Sequence, residues 1–285
     1  MVLRALLFVV LLICASSAHA DDRSLRRERA KDPAQASANP RDPGFFYNFL
    51  HGFAPETAVK VWRGGTRPDL LTLTTARGFT IGQPIYLRIF KDEGLIELWM
   101  KKDARFELFE IYPICRHSGA LGPKQKEGDR QAPEGFYEVG LKNLNPNSKY
   151  HLAINMGYPN AYDKSWGRTG AALMIHGACA SIGCYALTNE NIEEVYGLAE
   201  AAMRAGQESI SVHAFPFRMT QDALIQRKDN PWIDFWVNEM LPVYQAFDIT
   251  KIPPKVMACD KTYQIMDGVD DAALPKACAP ITAWK

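Results

Sequence analysis

Between residues 80 and 219 the apolar positions recur mainly with the two-residue period of strands. Residues 85–90 (IYLRIF), 95–100 (LIELWM) and 106–114 (FELFEIYPI) alternate or run apolar and are rich in β-branched and aromatic side chains, and Lys91-Asp92-Glu93-Gly94 sits between the first two as a turn. That pattern predicts an antiparallel β unit. The stretch 119–135 is dense in Gly, Pro and charge and predicts a loop, after which 136–141 (FYEVGL) restores the strand pattern, and a further strand is expected over 171–177 (AALMIHG). Beyond Cys184 the period lengthens. Ile192, Val195, Tyr196 and Ala199 share one helical face, Thr188 or Asn189 can cap it, Glu190, Glu193 and Glu194 suit its positive end, and Gly206 ends it. Residues 209–215 (SISVHAF) read as a strand again. From 220 to 244, Leu224, Trp232, Phe235, Trp236 and Leu241 fall at roughly helical spacing, interrupted by Pro231 and Pro242, and read as packing. No internal repeat appears, so the expected architecture is a mostly β domain with attached helices.

The N-terminal region has a different character. A single charge at Arg4, an unbroken apolar run over 5–15 and small residues at Ala18-His19-Ala20 form the three parts of an export signal, with cleavage expected after Ala20. An uncleaved anchor and a lipoprotein site at Cys14 are the alternatives; Ile13 before Cys14 speaks against the second. Residues 21–43 are charged and Pro/Ala-rich with little to bury and read as a flexible lead-in, while aromatic 45–53 suits a short helix docking on the main domain. The expected organisation is therefore signal 1–20, lead-in 21–43, docking segment 44–79, main domain 80–219, and a helical extension with a tail over 220–285.

Charge removes one class of partner. Lys and Arg total 33 against 32 Asp and Glu, and losing residues 1–20 removes Arg4 alone, leaving a neutral chain. No basic excess exists to hold a nucleic acid by phosphate neutralisation. With 285 residues, 47% of them hydrophobic, the chain can build a core without metal or disulfide support, so its cysteines need a separate reason.

Export would place Cys115, Cys179, Cys184, Cys259 and Cys278 where disulfides form, and five is an odd number, so one thiol stays free or pairs outside the chain. Cys259 and Cys278 are expected to staple the tail to itself. Cys179 can close a short loop with Cys184 or pair with Cys115 and leave Cys184 free; the second is preferred.

The densest chemistry lies in 173–188 (LMIHGACASIGCYALT), where His176, Cys179 and Cys184 fall within nine residues among small side chains. A cysteine just before a helix N-terminus has its thiolate favoured by the helix end, and Cys184 is expected there. Gly183 permits a tight turn, so the amides of Gly183, Cys184 and Tyr185 could donate to an oxyanion, and His176 on the preceding strand is the natural base. Zinc ligation by H-x2-C-x4-C supplies only three ligands without a paired C-x-x-C, and burial of both thiols as packing residues is the other plain reading. No metal or cofactor is expected.

Several long blocks in order then resemble the L,D-transpeptidase (YkuD) catalytic-domain family, in its YafK-like subgroup: RIFKDEGLIELWM, SGALGPKQKEGDRQAPEGFY from Ser118, GYPNAYD from Gly157, MIHGACASIGCYALTN from Met174 and GQESISVHAFPFRMT from Gly206. The likeness covers 85–219. It implies the β-sandwich-like YkuD fold with a C-terminal helical extension, Cys184 as the acyl-accepting nucleophile and His176, followed by Gly177, as its base. Most of the family has Ser-His-Gly-Cys, an apolar residue and an arginine; here Ser181-Ile182-Gly183-Cys184-Tyr185-Ala186 lacks both the second histidine and the arginine, and the spacing from His176 is shorter, as in the YafK-like members. Substrate carboxylates must then be met by other cations, for which Arg168, Lys124 and Arg130 are candidates, with Ser181 and Gly177 beside them. Pro133-Glu134-Gly135 resembles the family's Pro-x-Gly turn. The resemblance implies peptidoglycan stem peptides as substrate, a Cys184 thioester at their diamino acid, and acylation by carbapenems. The product depends on the acceptor: transpeptidation with an amine, or hydrolysis of the link to a wall-anchored lipoprotein with water. A non-catalytic peptidoglycan-binding module with Cys184 in a disulfide is the remaining alternative.

Overall fold

The computed structural model describes residues 69–268 and 275–282, all within one compact unit spanning Glu56–Lys285. The expected leader, the lead-in and the docking helix at 45–53 lie outside the described residues. The elements run α1 (Leu70–Ala76), β1 (Ile85–Phe90), β2 (Leu95–Lys102), β3 (Arg105–Pro113), β4 (Gly135–Val139), β5 (Leu144–Ser148), β6 (His151–Asn155), α2 (Ala161–Ser165), β7 (Met174–His176), β8 (Tyr185–Ala186), α3 (Asn189–Arg204) and β9 (Ile210–Phe215). There follow α4 (Gln221–Gln226), α5 (Ile233–Phe235), a π-helical turn Trp236–Met240, α6 (Leu241–Thr250), and three strands, β10 (Val256–Cys259), β11 (Thr262–Ile265) and β12 (Cys278–Pro280).

Among the described residues three sheets result. The largest has the order β3-β2-β1-β9-β4, with β1 and β9 parallel and the other neighbours antiparallel; the second is β5-β6-β7-β8, and the third is β11-β10-β12. The turn at 91–94 joins β1 to β2 as its composition predicts, placing Phe90 opposite Leu95. β1 is buried along its whole length because both of its faces are covered. Ile85, Leu87 and Ile89 enter the main core, where they meet Ile154 and Ile175 of the second sheet and Ile192, Val195 and Ala199 of α3. Two sheets and one helix thus share a single apolar interior, the sandwich-like arrangement the pattern implied. Helix α3 starts where its polar cap predicts: the Thr188 side chain accepts the Asn191 amide, and the apolar stripe expected from 3.6-residue spacing is buried.

The other face of β1 carries Tyr86, Arg88 and Phe90, which the C-terminal extension covers. Tyr86 packs on Phe247 of α6, and the Arg88 guanidinium, buried, lies 4.4 Å from the Tyr244 ring centroid and 5.0 Å from that of Phe247 while donating to Asp248 at 2.9 Å. A charge this deep needs such partners.

Three expectations change, and two strands come unannounced. The strand over 171–177 shortens to Met174–His176, because Gly170 and Ala172 have φ of +130° and +55° and turn the chain away from extended geometry. Pro242 does not interrupt a helix; it occupies the first turn of α6, where no amide donor is needed. The tail around Cys259 and Cys278 is not an irregular appendage but the three-stranded sheet, with those two cysteines opposite one another in its ladder. Strands β5 and β6 were not expected: β5 is itself the Pro/Asn-rich stretch 144–148, which carries no strand pattern, and it is largely exposed.

Candidate active site

The site forms where the second sheet meets the loops that leave it. β7 and β8 are parallel neighbours, with Ile175 opposite Tyr185 and His176 opposite Ala186, so His176 ends one strand while Cys184 precedes the start of the next. The chain between them, 177–184, makes the return, and it is anchored twice. The Cys115–Cys179 disulfide ties it to the end of β3, and the Cys179 amide donates to the Leu187 carbonyl. Cys259 pairs with Cys278, and Cys184 is free and partly exposed. The preferred pairing of the five thiols is therefore the one observed. With Cys179 committed to Cys115, neither a Cys179–Cys184 bridge nor an H-x2-C-x4-C metal set can form.

His176 is buried, with its Nδ1 2.6 Å from the Gly177 carbonyl oxygen. A carbonyl only accepts, so Nδ1 carries the hydrogen and Nε2 keeps a lone pair able to take a proton. Burial lowers the imidazole pKa, which keeps the ring neutral as a base must be. Gly177 is fixed by space: a Cβ there would lie 2.8 Å from Asn189 Oδ1 and 2.9 Å from the Tyr150 carbonyl oxygen. Its contribution is thus a buried backbone carbonyl and close passage, not a surface facing substrate.

Cys184 Sγ lies 3.7 Å from the Ala172 carbonyl oxygen. Burial raises the thiol pKa, opposed by an interaction with the Met174 backbone and by the positive charge of Lys124. The expected help from a helix end is not what the fold provides. α3 begins at Asn189, its cap is Thr188, and β8 intervenes, so Cys184 belongs to a strand start rather than a helix N-terminus. A resting pair of neutral thiol and neutral imidazole follows from both shifts.

The turn into Cys184 is shaped by Ser181 and Gly183. Ser181 Oγ donates to the Cys184 carbonyl at 2.7 Å and accepts the Gly183 amide at 3.1 Å, and Gly183 has φ of +137°, a conformation for glycine. Ser181 is therefore a local brace. The same bond occupies the Gly183 amide, which in this geometry does not point freely at an oxyanion, while Tyr185 is laddered against Ile175.

The three candidate cations have different surroundings. Arg168 is buried and pairs with Asp163 Oδ1 at 2.8 Å, lying 5.2 Å from the Tyr162 ring centroid, so its charge is already used in the fold. Lys124 is buried, donates to the Lys126 carbonyl at 2.9 Å and pairs with Asp129, yet its charge reaches Cys184. Arg130 is exposed, on a residue with φ of +55°. Glu134 of the Pro-Glu-Gly turn is fully buried. Its Oε1 accepts the Gly122 amide at 2.6 Å and faces Lys91 Nζ at 3.2 Å, and its Oε2 accepts Trp236 Nε1 at 2.9 Å. That turn braces the loop 119–135 beside the site.

Sequence reasoning did not single out Tyr150, whose ring stacks on His176, or the Ala172 carbonyl beside Cys184. Neither residue type signals chemistry by itself, and both are positioned by turns of positive φ that composition barely marks.

Comparison with known proteins fits this site. Residues 100–212 match the family model described as the L,D-transpeptidase catalytic domain, YkuD. YafK of Escherichia coli (strain K12), named there as a candidate L,D-transpeptidase, is 44% identical over 185 residues, covering 65% of this chain and 75% of that protein, and its counterpart in strain O157:H7 matches equally. Among solved structures, the helical cell shape determining protein Pgp2 of Campylobacter jejuni overlays with a TM-score of 0.39 at 19% identity, covering 70% of this chain and 85% of that one. The histidine, the free cysteine and the turns that hold them lie within the residues that the family model matches, and the chain belongs to the L,D-transpeptidase (YkuD) family, on its YafK-like branch.

Proposed function

We propose that this chain is an exported cysteine acyltransferase that remodels peptidoglycan, with Cys184 as nucleophile and His176 as base. The observation that carries the reading is the one free thiol among the described residues, placed at the start of β8, beside the strand whose terminal histidine has its Nδ1 hydrogen committed to a carbonyl. Nε2 takes the thiol proton and Sγ attacks the carbonyl carbon of the stem peptide's diamino acid. The C–N bond breaks, the imidazolium gives its proton to the departing amine, and a thioester remains. An incoming amine or water then attacks the thioester, His176 takes its proton, and the thiol is restored.

The backbone amide of Cys184, joined by that of Gly183 once the Ser181 brace releases it, meets the oxyanion. Lys124 supplies positive potential near the sulfur, and exposed Arg130 is the cation of the three best placed to meet a substrate carboxylate. The signal-like residues 1–20 and the two disulfides support export to the periplasm.

The acceptor sets the outcome, L,D-transpeptidation with an amine and release of a wall-attached lipoprotein with water. Mass spectrometry of muropeptides from sacculi bearing attached lipoprotein, treated with residues 21–285 or with the Cys184→Ala variant, tests both. New diamino-acid cross-links or exchanged terminal residues formed by the wild type alone mark a transpeptidase. Released protein and unlinked stems mark the amidase. Products formed equally by Cys184→Ala contradict the thioester route.

A further inference from the structure

The turn that joins β5 to β6 ends on an aromatic ring that lies against the base. Tyr150 is 45% exposed, yet its ring stacks on His176 with centroids 4.6 Å apart and planes 30° apart. A side chain half in water gains little from burial there, while the backbone around it is arranged to hold it. The Tyr150 amide donates to Ser148 Oγ at 3.0 Å, and Ser148 pairs with His151 across the turn. His151 has φ of +72°, and its Nε2 lies 2.6 Å from Glu193 Oε1 of α3. The Tyr150 carbonyl presses on the glycine that follows the base, leaving no room for a Cβ. The turn is therefore fixed at both ends, and its product is a tyrosine ring laid on an imidazole.

The imidazole needs such support. One hydrogen bond, from Nδ1 to the Gly177 carbonyl, sets its tautomer, but histidine's second torsion is a broad, roughly two-fold one and a single bond does not stop the ring from turning over. A flat ring packed on one face does.

We propose that Tyr150 is a positioning residue for the base: its stacked ring holds the His176 imidazole so that Nδ1 stays on the Gly177 carbonyl and Nε2 is the nitrogen that accepts the proton. The proposal rests on the assignment of His176 as base. The ring, not the phenol oxygen, does the holding, so phenylalanine should serve as well as tyrosine.

Full-length mature protein labelled with 15N-histidine tests this by NMR, with His176→Gln assigning the signals, alongside steady-state kinetics on a diamino-acid stem tetrapeptide. In the wild type His176 should show one tautomer, hydrogen on Nδ1. Tyr150→Ala, a change at a half-exposed site, should give mixed tautomers and lower kcat by about 10-fold or more with KM within about threefold, and Tyr150→Phe should restore both. The proposal is overturned if Tyr150→Ala keeps either the single tautomer or the wild-type kcat, or if Tyr150→Phe behaves like Tyr150→Ala. An active His176→Ala enzyme overturns the base assignment and this proposal with it, whereas an inactive one beside an unaffected Tyr150→Ala removes the tyrosine's role alone.

Discussion

Gly183 connects backbone geometry to the Cys184 thiol at the scale of one residue. Its φ of +137° is open to glycine and strained for any L side chain, and an added Cβ would also reach 3.4 Å from Leu173 Cδ1. Gly183→Ala should therefore cost on the order of 1–3 kcal/mol in stability and much more in activity, because the bond from Gly183 to Ser181 and the position of Cys184 move together. Thermal unfolding and turnover measured on the same preparation check this; an active variant with unchanged Tm would contradict it. The electrostatics of the pair give a second expectation. Burial raises the Cys184 thiol and lowers His176, so both are neutral at rest and the thiolate fraction grows only as pH climbs above the ordinary thiol range. The rate of Cys184 alkylation by iodoacetamide should keep rising with pH past that range. A plateau below pH 7 would instead indicate a preformed thiolate–imidazolium pair. Cys184 and His176 stood out in the sequence as candidates because few residue types do the proposed chemistry. The helix-end activation inferred for Cys184 was not, because a two-residue strand before α3 is too short to leave a pattern.

Among the elements, the loops around the site are held by buried polar bonds. Lys91 Nζ donates to the Gly122 and Ala132 carbonyls, each at 2.9 Å, and faces Glu134, which in turn accepts from Gly122 and Trp236. One buried pair thus joins the end of β1, the loop 119–135 and the π-helical turn. Lys91→Met would leave the Glu134 carboxylate buried without its countercharge, and breaking such a pair costs about 3–5 kcal/mol. Denaturant unfolding measures that loss, and a change under about 1 kcal/mol would show that the carboxylate is not held as described. The sequence placed Lys91 in a turn and Glu134 in a loop, both correctly. It held no sign that the two side chains meet, since 43 residues separate them and each looks like an ordinary surface charge. Strands β1 to β4 and helix α3 were readable because each has one period over enough residues. β5 was missed because it is short and Asn-rich, and β7 was overextended because the positive-φ residues Gly170 and Ala172 before it delay its start.

For the whole molecule, the C-terminal extension completes the interior on the second face of β1. Tyr86, Arg88 and Phe90 are buried because α6 helps cover them, so this helix is part of the core rather than an addition to a finished domain. His213 lies in this interior, fully buried, with its Nδ1 2.7 Å from the Tyr86 hydroxyl and its pKa pushed down to about 3 by burial and by Arg88. An unfolded chain would bind a proton on this imidazole near the ordinary value of 6.5, and the folded chain does so only near 3. Stability is therefore full above about pH 6.5 and falls as pH drops through the window, by on the order of 1 kcal/mol per pH unit. The wild-type Tm should decline between pH 6.5 and 4 more steeply than that of His213→Gln, and parallel curves would show that His213 is not buried neutral. The alternating apolar pattern told that β1 would be buried but not that its second face would be covered from residues 220–285, a contact set by tertiary packing that no local period encodes.

The central claim is that Cys184 is the residue that becomes acylated. It is tested most directly by intact-protein and peptide mass spectrometry of residues 21–285 and of its Cys184→Ala variant after incubation with a carbapenem, a β-lactam acylating agent that needs no acceptor. The account predicts one adduct per wild-type chain, mapped to the peptide that contains Cys184, and none on the variant. Equal adduct formation on the Cys184→Ala variant, or mapping of the label to another residue, would contradict it.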